Sequence, residues 1–437
     1  MIEEELQRKA QDFRELGLPA YVPRAGRVHL VDNMVSTVVG ARRAGKSFRV
    51  LQIADELIKE GVIKSLDQVC PVDFDNPIIS SMRAQDLKLI QSTFLKISPE
   101  LGLKTPIIFL LDEIHKIVGW EEYAIDLSRN RYWRVVVTGS SSKLLKEDMA
   151  TELRGKAISS TVYPLSFAEY LKFNGFHYSY SSTKGQADAR RLFEDYLRWG
   201  GYPAIPATDE YSRDVLLREY FDTMILKDII QRHDVSKPQQ CIQLYYYLLS
   251  NIGKPHTLKS AYEFLKQGGY ATSRDAVRDY LKWAQDAWLL YAVPIFSDSV
   301  KKQQRNYRKI YCIDWALALR NSLVWDGSHA CAFENMVFVH LLRNHPRVHY
   351  YLTRAKRQEV DFLVIDDRGD AVLAIQVCVD ISAQDTLRRE LEPLVSVAKY
   401  FGTKENLIIT LNQQAEFEED RVVVRAIPAW KWMLGID

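Results

Sequence analysis

Apolar residues fall into two kinds of run along this chain. Between residues 33 and 167 they form short, nearly unbroken stretches: "NMVSTVV", "LDQVCPVDFDNP", "PIIFLL", "YWRVVV" and "AISSTVYPLSF". Such runs, bounded by polar turns, are the pattern of strands buried on both faces, as in a parallel sheet. The segment after the first of them, "SFRVLQIADELIKEG", repeats its apolar positions at helical spacing and predicts an amphipathic helix. From 239 the helical period dominates, in "QQCIQLYYYLLSNIG", "TLKSAYEFLKQGG" and "TSRDAVRDYLKWAQDAWLLYAVPIF", with Thr272 or Ser273 as the cap of the last. The polar stretch at 177–189, "HYSYSSTKGQADA", predicts a loop. Further on, "AFENMVFVHLLRN" predicts a helix, "HYYLTRAKRQEVDFLVID" a hairpin and "DAVLAIQVCVD" another strand. The expected class is α/β.

Chemistry enters where the first strand meets the first helix. Gly40, Ala41, Arg42, Arg43, Ala44, Gly45, Lys46 and Ser47 spell G-x-x-x-x-G-K-S, and Phe48 follows. In a strand, loop and helix setting this motif wraps phosphates with backbone N–H groups and a helix N-terminus. Lys46 then reaches the outer phosphates and Ser47 holds magnesium. The run "PIIFLLDEIHKI" ends in Asp112 and Glu113, two acids at the C-terminal edge of a buried strand, where open α/β sheets bind ligands. Asp112 is expected to hold Mg2+ and Glu113 to polarise the attacking water. "YWRVVVTGSSSKLL" places Thr138 and Ser140 at a third strand end, either to sense the γ-phosphate or to cap the following helix. Asp73 and Asp75, in "CPVDFDNP", read as strand-edge residues.

Composition narrows the class. A chain of 437 residues exceeds one ordinary core, so two or three domains are expected. Its 58 basic and 56 acidic side chains nearly cancel, which removes any global electrostatic reason for binding nucleic acid or an anionic membrane. The five cysteines show no paired spacing, so neither a zinc site nor a disulfide framework is expected. With no secretory signal pattern and no run of about 20 apolar residues, the expectation is a cytoplasmic protein without a membrane partner.

The pieces "GARRAGKS", "FLLDEIHKI", "VTGSSSKLL", "ELRGKAISSTVYPLSFAEY", "YLRWGGYP", "LKDIIQRH", "VRDYLKWAQDAWLL", "FENMVFVHLL" and "RQEVDFLVI" together resemble a prokaryotic family of AAA-like P-loop ATPases. In that family the C-terminal domain has unknown function and a restriction-endonuclease-like core. The resemblance implies ATP as the nucleotide, an ATPase core with N-terminal helix at 1–180 and a nuclease-like α/β domain at 301–437. Between them the helical pattern reads as a lid at 181–237 and, with "WLLYAVPI" and "YRKIYCID" after it, as a winged helix-turn-helix at 238–300, which either places a helix in the DNA major groove or serves as a structural or protein-contact module. The resemblance also implies a catalytic arginine. Arg154 and Arg232 are the candidates, each to meet developing phosphate charge or a neighbouring subunit's nucleotide, with plain packing as the alternative. An oligomer is compatible with such a site.

The nuclease-like region departs from its pattern. Glu334 on a helix and Asp361 on a strand stand where metal-binding carboxylates belong, but Gln376 and Cys378 replace the acid and lysine that complete the set. Nuclease activity is therefore not expected, although the two carboxylates retain the oxygen ligands a magnesium ion takes. Function reduces to three readings: an ATPase driving motion of the C-terminal domains, an ATPase or regulator bound to duplex DNA, or a nucleotide-gated module for a protein client.

Overall fold

The computed structural model describes residues 1–139, 153, 155–297, 299, 308–323, 330–354 and 356–436. The chain divides into two compact units, Met1–Tyr163 and Pro164–Asp437.

The first unit opens with helix α1 (Ile2–Leu16) and is built on a five-stranded sheet. In chain order its elements are β1 (Val35–Val39), α2 (Lys46–Lys59), β2 (Val69–Asp73), α3 (Lys88–Ile97), β3 (Ile107–Asp112), α4 (Trp120–Ser128), β4 (Trp133–Gly139) and β5 (Ala157–Thr161). The strands are all parallel, in the order β2-β3-β4-β1-β5. Every residue of β1 is buried, as are the first five of β3, because helices cover both faces of a parallel sheet. The apolar runs read from the sequence are these strands.

The sheet edge crowds the phosphate loop at one point. Gly40 has φ of 147°, and a Cβ there would strike the Val162 carbonyl oxygen. Only glycine fits, and Val162 N–H donates to the Val39 carbonyl at 2.7 Å just beyond β5.

The second unit begins with helices at Phe167–Phe173, Thr183–Trp199 and Glu210–Thr223, the last continuing as a wider π-wound segment over Met224–Gln231. Its second helix corrects the loop expected at 177–189. Ser182 accepts a hydrogen bond from Gly185 N–H, and this cap starts the helix inside that polar stretch. Helices at Pro238–Leu249, Leu258–Gln267 and Arg274–Asp286 follow, with Ser273 capping the third. The helical reading of the last segment stops at Asp286. Trp288 takes a left-handed φ of 64°, and the chain turns into β7 (Leu290–Pro294). With β6 (Pro255–His256) and β8 (Arg308–Cys312) it forms an antiparallel sheet ordered β6-β8-β7.

After a short helix at Trp315–Arg320 and a longer one at Ala330–Asn344 comes a mixed six-stranded sheet. Strands β9 (Val348–Leu352), β10 (Glu359–Ile365) and β11 (Ala371–Val377) are antiparallel. β11 then pairs in parallel with β12 (Glu405–Thr410), and β12 with β14 (Val422–Pro428), while β13 (Ala415–Glu419) closes the edge. The helix Gln384–Phe401 packs on this sheet. Among the described residues, no helix is long and apolar enough to cross a membrane.

Candidate functional site

The loop at 40–47 leaves β1 and feeds the N-terminus of α2, so its amide groups stand at the positive end of a 14-residue helix. Gly45 is left-handed at φ 96° and Arg43 at φ 63°, a curl that few side chains tolerate. The Lys46 side chain is buried and turns back over the loop, where its ammonium donates to the carbonyls of Gly40 at 3.2 Å and Ala41 at 3.1 Å. Ser47 and Phe48 lie in the first turn of α2 and are exposed, while Ala41 and Ala44 are buried and Arg42 half-buried.

The neighbouring strand ends deliver the acids. Asp112 closes β3, and Glu113 follows in a left-handed conformation, φ 56°, rare for a residue with a Cβ. That turn carries the Glu113 carboxylate to 4.0 Å from the Lys46 ammonium and 3.4 Å from His115 Nδ1. Burial lifts the Glu113 carboxyl above the ordinary glutamate range; Lys46 opposes the rise and Asp112 adds to it. Thr138, at the end of β4, is wholly buried and fastens both acids. Its hydroxyl donates to the Asp112 carboxylate and accepts from Glu113 N–H at 2.8 Å.

Two residues join this group that the sequence did not single out for it. Asp73 is paired in register with Asp112 across β2 and β3, and burial raises its carboxyl. Arg24, in the non-regular segment before β1, is buried and donates to the Ala44 carbonyl of the loop at 2.7 Å and to the Tyr163 carbonyl at 2.6 Å. Gln52 of α2 holds Arg24 from behind through backbone bonds of 2.8 and 3.1 Å. No motif announces Arg24, since its partners lie 20 and 139 residues away.

Residues 32–171 match the family model described as an AAA domain. The first unit carries an AAA-type P-loop ATPase domain. Residues 190–324 and 331–432 match two further models, each described as a domain of unknown function (DUF8612 and DUF4143). The chain is 27% identical over 420 residues to an uncharacterised protein of Methanocaldococcus jannaschii, covering 93% of this chain and 90% of that one. An uncharacterised protein of Haemophilus influenzae is 25% identical over 400 residues, with 91% and 94% covered. Among solved structures, a Walker-type ATPase of Pyrococcus abyssi aligns at 14% identity and TM-score 0.37, over 73% of this chain and 95% of that one.

Three further residues were expected at the ATPase site: Ser140, Arg154 and Arg232. Ser140 and Arg154 lie outside the described residues. Arg232 belongs to the second unit, where its guanidinium donates to the buried Asp228 carboxylate at 3.2 Å. The Gly200–Gly201 turn is built around Asp314, which accepts from Gly201 N–H at 2.7 Å and whose carboxyl burial pushes up to about 6.

The second unit also gathers charge. Glu334 and Asp361 do converge, but the cation between them is a side chain. Lys309 of β8, only 1% exposed, places its ammonium 2.9 Å from Glu334, 2.7 Å from Glu359 and 3.2 Å from Asp361. Tyr311, two residues on along the same strand face, donates to the same Glu334 oxygen at 2.6 Å. Burial pushes the Glu334 carboxyl up to about 7 against the pull of Lys309, with Asp361 adding to the rise. Gln376 is used structurally: its oxygen accepts from Asp361 N–H and its nitrogen donates to Glu390, both at 2.8 Å. Cys378 donates to the Asp380 carbonyl at 3.3 Å. Among the described residues no group of three or more His, Cys, Asp and Glu side chains is arranged to hold a metal ion.

Proposed function

We propose that this protein is a magnesium-dependent ATPase whose hydrolytic cycle moves its C-terminal region. The observation that carries the reading is the meeting of Lys46 and Glu113 at 4.0 Å, with both acids fastened by one buried threonine. The loop suits a nucleotide: a Cβ would fill the space at Gly40, and amides and a lysine face where phosphate charge would lie. Ser47 and Asp112 would hold Mg2+, which when bound withdraws charge from the phosphate oxygens. Glu113 orients the attacking water and accepts its proton as the new oxygen–phosphorus bond forms and the bond to the bridging oxygen breaks. Its raised affinity for a proton suits that work. Thr138 positions the two acids. ATP is favoured over other triphosphates by the AAA match alone, because the loop reads phosphates and not the base.

Coupling to motion is supported by Arg24. Its guanidinium ties the loop's Ala44 carbonyl to that of Tyr163, the last residue of the first unit, so a change in loop shape is felt where the chain leaves that unit. Arg154 and Arg232 stay as candidates for the charge-stabilising arginine. In the second unit, the order of helix, β6, two helices, β7 and β8 supports a winged helix-turn-helix. The mixed sheet of β9 to β14 with Glu334 and Asp361 beside each other supports reading this region as a restriction-endonuclease-like core, in which Lys309 holds the carboxylates that nuclease chemistry would need.

The test is steady-state phosphate release from ATP and magnesium. Glu113→Gln should retain nucleotide binding and lose about 10²–10⁴-fold in kcat. Turnover unchanged in that variant would overturn the reading.

A further inference from the structure

The helix Arg274–Asp286 buries Val277, Tyr280 and Ala284 against its neighbours. Its exposed side carries Arg274, Arg278 and Lys282, one helical turn apart, in a row about 12 Å long. Asp275 and Asp279 fall about 100° further round, which is why a charge count along the helix hides the row. A groove of about 700 Å³ runs beside it, and Lys259 from the preceding helix and Arg308 from β8 complete its basic lining. No carboxylate is among the described residues that line it.

Among the described residues, two of the five cations have acidic neighbours, Arg278 with Asp275 at 2.6 Å and Lys259 with Glu263 at 3.7 Å. Both pairs are exposed and within one helix, the kind worth well under about 1 kcal/mol and easily exchanged for a phosphate. Arg274 is steadied over the Tyr262 ring at 5.7 Å. The basic stretch after β9 makes a contrast: Lys356 is bound to Glu392 at 2.9 Å and Arg354 lies over Tyr400 at 4.2 Å.

We propose that this groove binds duplex DNA through its phosphates, with the helix Arg274–Asp286 entering the major groove. The fit is one of dimension and charge. A B-form major groove is about 12 Å wide and admits one helix, and the cations come from two helices and a strand, so they can meet phosphates around the inserted helix rather than along a single line. An acidic peptide would need only the single row. The proposal goes beyond the ATPase reading and does not rest on it.

The test is fluorescence anisotropy of the full chain with a labelled duplex of roughly two helical turns, between about 50 and 200 mM salt. Wild type should bind, weakening steeply with salt. The variant Arg274→Gln/Arg278→Gln/Lys282→Gln should bind at least about tenfold more weakly at the lower salt, with the slope of log K against log salt reduced by about 2–3. A control removing three exposed lysines elsewhere, Lys88→Gln/Lys104→Gln/Lys266→Gln, should bind as wild type, and thermal melting verifies that both variants fold. Wild-type affinity in the groove variant, an equal loss in the control, or equal binding of polyglutamate would each overturn the proposal. Lys46→Ala should still bind the duplex, so failure of the ATPase reading and failure of this one are told apart.

Discussion

Two clusters in this molecule use the same side chains to opposite ends. Each sets a buried lysine among acids carried by neighbouring strands or helices. At the phosphate loop, Lys46 bonds the carbonyls of Gly40 and Ala41 and lies 4.0 Å from Glu113, so its ammonium stands over the loop that would take a phosphate. In the second unit, Lys309 holds three carboxylates within 3.2 Å and its charge is spent. An ammonium enclosed by three close carboxylates belongs to the framework; one lying over a phosphate loop at a helix N-terminus is placed where an anion would bind. The kind of residue is shared, and the element that surrounds it separates structure from chemistry.

Removing the two lysines is the sharpest way to break that contrast. Lys309→Ala leaves buried carboxylates without their cation and should cost about 3–5 kcal/mol in denaturant unfolding. Lys46→Ala should cost less, because the loop it covers opens to solvent at Ser47, yet it should abolish the rise in melting temperature that ATP and magnesium give the wild type. Similar stability losses in the two variants would erase the distinction.

A smaller effect follows from protons. Glu334 holds its proton to about pH 7 in the folded chain against an ordinary value of 4.5, so the native state binds more protons between those limits. Stability from this group is fully present below pH 4.5 and is lost as pH rises through 7, a change on the order of 1–3 kcal/mol. Unfolding titrations of wild type and Glu334→Gln should differ by that slope, and parallel curves would place the shared proton elsewhere in the cluster.

Smallest is the expected effect at Thr138. Thr138→Val should lower kcat about tenfold with little change in KM, since the hydroxyl positions Asp112 and Glu113 without itself holding nucleotide. Thr138→Ser should restore the rate. A rise in KM with kcat unchanged would make Thr138 a nucleotide contact instead.

The parallel sheet and the phosphate loop were legible in the sequence because their determinants are local. Doubly buried strands read as apolar runs, and G-x-x-x-x-G-K-S places glycines, lysine and serine within eight consecutive residues. Asp112 and Glu113 were legible because they end such a run. The polar stretch at 177–189 misled for a reason equally local: Ser182 reads the same as a loop residue or as a helix cap until its partner, Gly185 N–H, is placed.

By itself, then, the sequence determined a P-loop ATPase domain with its lysine and its acids, since each lies in a segment whose neighbours set its conformation. Only the tertiary structure decided what those side chains and their distant partners bind. Thr138 meets Glu113 across 25 residues, Arg24 reaches Tyr163 across 139, and Lys309 reaches Asp361 across 52. Sheet register and packing make these contacts, and no periodicity along the chain encodes them. The acids that looked open to a metal were closed by a lysine from another sheet, and the charges that cancelled in the count separated into a basic row once the helix was wound.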